Sequence, residues 1–104
     1  MKLLNIDYFP GKNVEYIDMV KGAVVQSKNF GRDFMAGMKT IVGGEIKGYT
    51  EMLNEARQIA IKRMVDEAES LGADAILNVR FSSAQIMQGA AEIMAYGTAV
   101  KLVD

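Results

Sequence analysis

The sequence predicts an α+β fold: a two-layer sandwich in which one short and one long helix lie on an antiparallel sheet. Three observations lead there. Tyr49–Leu71 repeats apolar residues at three- to four-residue spacing, the period of an α-helix. Val14–Gln26, Ala75–Ser82 and Ala91–Val103 instead alternate like strands. The order is then β, β, short α, long α, β, β, with no strand–helix–strand repetition of the kind that builds parallel sheets.

In chain order, Lys2–Ile6 is a short apolar run ending at Asp7, expected as an edge strand. Phe9-Pro10-Gly11-Lys12 fits a type II turn, because proline fixes φ at the second position and glycine accepts φ > 0 at the third. In the next strand Val14, Tyr16, Asp18 and Val20 fall on one face, and Gly22 marks a bulge or a close backbone approach. Phe30, Phe34, Met38 and Ile41–Val42 recur at roughly helical spacing, so a short helix is expected within Asn29–Val42, ended by Gly43-Gly44. Glu45–Gly48 reads as a connection.

In the long helix Tyr49, Leu53, Ala56, Ala60, Met64 and Leu71 share a narrow arc at about 100° per residue. Met52, Ile59, Ile61 and Val65 widen it beyond the ~100° that one sheet covers. Gly72 supplies the stop. Leu77, Val79 and Phe81 alternate against Asn78, Arg80 and Ser82, and Ser83–Ala90 is small and polar, a loop. The last strand has a flat face of Ala95, Gly97 and Ala99, suited to a helix, and a bulky one of Met94, Tyr96, Val100 and Leu102. Helices cover only one face of so small a sheet, so the bulky face predicts a neighbouring subunit.

Composition narrows the chemistry. The 104 residues form one domain, 1–104, with a formal charge of −1 that offers no basic field to nucleic acid or anionic membrane. No apolar run reaches the ~18 residues of a membrane span, and Asp7 and Pro10 interrupt the N-terminus too early for a secretory signal. The expected location is cytoplasmic. With no cysteine and no histidine, thiolate nucleophiles, disulfides, the commonest general base and the commonest soft-metal ligands are all missing.

The remaining candidates each have a structural and a functional reading. Glu51 with Glu55, and Asp66 with Glu69, could hold a hard cation or form a solvated face. Met35 and Met38 could bind copper(I) or fill core. Gly43, Gly44 and Gly48 could leave amides free for an anion at the long helix's N-terminus, or act as a stop between helices. Arg57, Arg63 and Glu67 lie within or beside the apolar arc. They predict an Arg63–Glu67 ion pair and an Arg57 that ties down backbone carbonyls, or an anion site built on Arg57.

These stretches also carry a resemblance. Gly43-Gly44, Gly48-Tyr49, Ala56-Arg57, Gly72-Ala73-Asp74-Ala75 and Gly97-Thr98-Ala99-Val100 resemble the motifs of the YbjQ-like family, small uncharacterised bacterial and archaeal proteins. The segment AVVQSKNFGRDFMAGMKTI follows the family outline as well, so the likeness spans nearly the whole chain. The resemblance implies a ring-forming, dodecin-like subunit that assembles as a pentamer, and no established activity. The family is also catalogued as heavy-metal-binding, which a chain without cysteine or histidine serves poorly.

The expected function is therefore a non-enzymatic homo-oligomer that binds a small ligand or ion, with Gly43, Gly44, Tyr49 and Arg57 as the ligand site and no cofactor. The alternative is a metal-binding protein, or a metal-dependent enzyme, whose carboxylates meet only at subunit junctions.

Overall fold

The structure, a computed structural model, describes residues 1–27, 41–42, 45–87 and 90–104. Three long strands carry it: β2 (Asn13–Ser27), β5 (Ala75–Met87) and β6 (Ala90–Val103). With the short β1 (Lys2–Leu3) they form one sheet in the order β1-β5-β6-β2. A second, two-stranded sheet pairs β3 (Ile41–Val42) with β4 (Glu45–Ile46), and the long helix α1 runs Lys47–Ser70.

The main sheet is mixed where an antiparallel one was expected. β1 runs parallel to β5, with Lys2 opposite Ala75 and Leu3 opposite Ile76. Parallel neighbours need a crossover, and the intervening β2 and α1 provide it. Most of the expected short helix, and Met35 and Met38 with it, lies outside the described residues. Its last two residues, Ile41 and Val42, are strand rather than helix, in keeping with their β-branched side chains. Ser83–Met87 is also strand rather than loop. Its small residues are held by pairing, Ser83 with Ile93 and Ala84 with Glu92.

Helix α1 buries Met52, Ala56, Ala60, Met64 and Ala68, one residue per turn, against Val20, Val24, Ile76, Ile93, Ala95 and Ala99. Gly22 sets the depth of this contact. A Cβ there would overlap the carbonyl oxygen of Ala60 and the amide nitrogen of Met64, so the helix backbone rests directly on β2. Ala95 and Ala99, both fully buried, confirm the flat face of β6 as the helix side. The helix ends in a Schellman motif about Gly72 (φ +77°), with Gly72 N–H donating to Glu69 O at 3.0 Å and Ala73 N–H to Ala68 O at 3.1 Å. Beyond it, Asp74 Oδ2 accepts from Leu102 N–H at 2.9 Å, and Lys101 Nζ donates to Gly72 O at 3.1 Å, pinning the turn to the end of β6.

Two bulges redistribute the faces read from strict alternation. The register with β6 shifts between Tyr16 and Asp18, leaving Ile17 as the extra residue, half-buried against the helix-side core. Val20 therefore faces the helix, while Val14 packs on the other side of the sheet. In β5 the register shifts between Leu77 and Arg80, where Asn78 takes φ 55°, a left-handed conformation that asparagine tolerates. Leu77 thus faces outward, whereas Val79 joins the helix-side core.

Part of the outer face is covered by the chain itself. Leu4 and Phe9 pack with Val14 over Ala75, Leu77 and Val100. Lys12 N–H donates to Phe9 O at 3.1 Å with Gly11 at φ +76°, as the turn chemistry predicts. Arg80 fastens the segment by donating to Asn5 O at 2.8 Å.

Candidate functional site

Beyond the Phe9 segment, nothing among the described residues covers the outer face. Its register places Met19 beside Thr98, Lys21 beside Tyr96 and Ala23 beside Met94. Met19 is 68% exposed, Tyr16 63% and Val25 56%, so apolar side chains dominate the exposed row. The uncovered part, Ala90 to Thr98 across three strands, measures roughly 30 Å by 14 Å at ~3.4 Å per residue and ~4.8 Å per strand. That is about 400 Å² of face, on which Met19, Ala23, Val25 and Met94 alternate with polar Lys21, Arg80, Ser82, Glu92 and Thr98; a typical monomer's largest apolar patch is of similar size and often functional. At the edge of β2 the patch turns into a cleft of ≈ 530 Å³ lined by Met19, Val20, Lys21, Glu67, Met94 and Tyr96.

The four residues expected to form an anion site are not all placed. Gly43 and Gly44 lie outside the described residues, and Tyr49 belongs to the first turn of α1. Arg57 lies eight residues beyond Tyr49, roughly 12 Å along the axis at ~1.5 Å per residue. It is exposed and, among the described residues, donates to Asn54 Oδ1 at 3.0 Å and to no backbone carbonyl. Arg63 does what was expected of Arg57: it donates to Ala23 O at 2.6 Å across the helix–sheet contact. The close approach at Gly22 brings that carbonyl within reach, and the ion pairs among the described residues are Lys62–Asp66 and Lys101–Asp74. Arg63→Met is therefore expected to lower stability by about 1 kcal/mol, the worth of one net hydrogen bond. Arg57→Met should change it by less than ~0.5 kcal/mol. Urea melts of the two variants check the ordering.

Among the described residues no three carboxylates gather as ligands. Glu51, Glu55 and Glu69 are exposed, and Asp66 pairs with Lys62 at 3.0 Å. Met19 and Met94 share the outer face, but their register positions differ by four residues, about 13 Å at ~3.3 Å per residue.

The fold defines a small α+β domain with one sheet face only partly covered by the described residues. The chain belongs to the YbjQ family, whose model, described as "Putative heavy-metal-binding", matches residues 1–103. A UPF0145 protein of Clostridium novyi is 59% identical over 99% of this chain and 100% of its own length. One from Helicobacter hepaticus is 52% identical over the full length of both chains. Among solved structures, a protein of unknown function from the DUF74 family of Pediococcus pentosaceus superposes with a TM-score of 0.69, covering 99% of this chain and 98% of that one. At 13% identity it supports the fold alone.

Proposed function

We propose that the chain is the subunit of a non-enzymatic homo-oligomer that binds a small ligand or ion, its copies joined through the outer sheet face and the free edge of β2. The observation that carries this reading is the apolar row of Tyr16, Met19 and Val25 on an edge strand of 15 residues. A second copy is the occupant because the chain itself offers the complement. Among the described residues, β2 is unpaired along one side of the sheet and the Arg80–Met87 half of β5 along the other. Exposed edges of this kind template strand addition. Two different edges meeting head to tail build a ring when the rotation closes, and five subunits is the number in this reading. The cytoplasm is the location it assumes.

Met19→Glu combined with Val25→Glu tests it. Both side chains are exposed in the single subunit, so the fold should survive while assembly fails. Light scattering is expected to report a species near the 11.4 kDa of one chain, with an unchanged circular dichroism spectrum. An undiminished oligomer would contradict the proposed interface.

The family's description raises heavy metals as a second ligand class. With neither cysteine nor histidine present, zinc and cadmium are expected to bind more weakly than micromolar in calorimetry at neutral pH. Sub-micromolar affinity abolished by carboxylate substitutions would replace the small-ligand reading with the metal one. Copper(I), which thioethers bind, is titrated separately against Met35→Ala and Met38→Ala.

A further inference from the structure

Beside the helix, on the face that the described residues leave partly bare, the Arg80–Met87 half of β5 forms a step with the flank of α1. Phe81 sits opposite Ala95 and Ser83 opposite Ile93, which places both on the helix side of the sheet. Leu53 and Arg57 form the other wall, and the open cleft between them has a volume of ≈ 260 Å³. Its apolar surface comes from half-buried Leu53, buried Ile93 and Phe81, which is 48% exposed. Among the described residues lining it, Arg57 is the one that is charged.

The guanidinium is under-used. Among the described residues it donates to Asn54 Oδ1 at 3.0 Å and joins neither ion pair, so most of its five donors find no partner there. A planar fork of that kind matches a carboxylate, which it engages through two parallel hydrogen bonds. A cation would be repelled, a bare inorganic anion would leave Phe81 and Leu53 unused, and a neutral apolar molecule would leave the fork unused. The volume is just under the ~300 Å³ at which pockets for larger ligands begin, so the occupant is small.

We propose that this cleft binds a small monocarboxylate with an aryl or branched alkyl body. The carboxylate sits on Arg57, with the Ser83 hydroxyl nearby, and the body lies against Phe81, Leu53 and Ile93. The inference rests on reading the protein as a small-ligand binder and names the class of ligand.

Sodium benzoate is the probe, titrated into the purified full-length protein by calorimetry, with benzyl alcohol and acetate as controls and native mass recorded for every sample. Saturable binding at one benzoate per chain is expected, with both controls at least tenfold weaker. Arg57→Met should lose at least tenfold in affinity at unchanged mass and melting temperature, and Arg57→Lys should lose affinity too, because it keeps the charge without the fork. Absence of saturable benzoate binding, equal binding of benzyl alcohol, or full affinity in Arg57→Met would overturn the inference. Dissociation of Arg57→Met into smaller species would overturn it as well, because the carboxylate on Arg57 would then belong to a neighbouring chain. Wild-type protein that binds benzoate as a monomer would leave the cleft standing and remove the assembly. An oligomer blind to benzoate would do the reverse.

Discussion

Gly22→Val is expected to remove the folded chain at moderate denaturant. The new Cβ would meet Ala60 O and Met64 N, and would lie 2.8 Å from Arg63 Cβ. Two of those neighbours are backbone atoms of a helix and cannot rotate away. The helix must lift from β2, which opens the contact between Val20, Val24, Ala60 and Met64. Overpacking a core costs ~1–3 kcal/mol where side chains can adjust, and more where they cannot. Gly22→Val belongs to the second case, so a loss above ~3 kcal/mol is expected against a total near ~5–15 kcal/mol. A urea midpoint equal to that of the parent would show that helix and sheet do not touch there.

Met64→Ala should be nearly as damaging for the opposite reason. Met64 is fully buried and heads the largest such side chains, so truncation leaves a void that its alanine neighbours, Ala60 and Ala68, are too short to fill. Leucine- or methionine-to-alanine changes in cores cost ~2–5 kcal/mol. In a domain of this size that lowers Tm by more than ~10 °C. Met64→Leu keeps the volume and should cost less than ~1.5 kcal/mol. Calorimetric melts of the two variants decide the point, and equal Tm values would mean that Met64 is not in the core.

The features the sequence foretold are those set by one or two residues acting locally. Gly22 as a close approach, Gly72 as the helix stop, the Phe9–Lys12 turn and the Ala95, Gly97 and Ala99 face all follow from the presence or absence of a Cβ. Features set by a partner elsewhere in the chain were hidden. The bulges at Ile17 and at Asn78–Val79 each reverse the parity of a strand, and counting in twos carries no sign of an inserted residue. The parallel pairing of β1 joins residues more than 70 positions apart, with no turn signal between them. Gly43-Gly44 suits a helix stop and a two-residue hairpin equally, so the strand pairing of Val42 with Glu45 was not readable.

The candidate site divides the same way. The bulky outer face was legible in Met94 and Tyr96, but its cover by Leu4 and Phe9 was not, because that depends on where the N-terminal segment returns. Arg57 was singled out on its own helix, whereas Phe81 and Ile93, which make its surroundings a cleft, come from two separate strands. Arg63 was assigned to Glu67 by i,i+4 spacing, yet a carbonyl 40 residues away in sequence holds it.

Self-association through the outer sheet face is the central claim, and native mass spectrometry of the wild-type protein, purified without added metal, tests it most directly. The account predicts one species at a small integer multiple of 11.4 kDa, five by family resemblance, which falls to single chains when Met19 and Val25 carry glutamate. A mass of 11.4 kDa for the wild-type protein at micromolar concentration would contradict it.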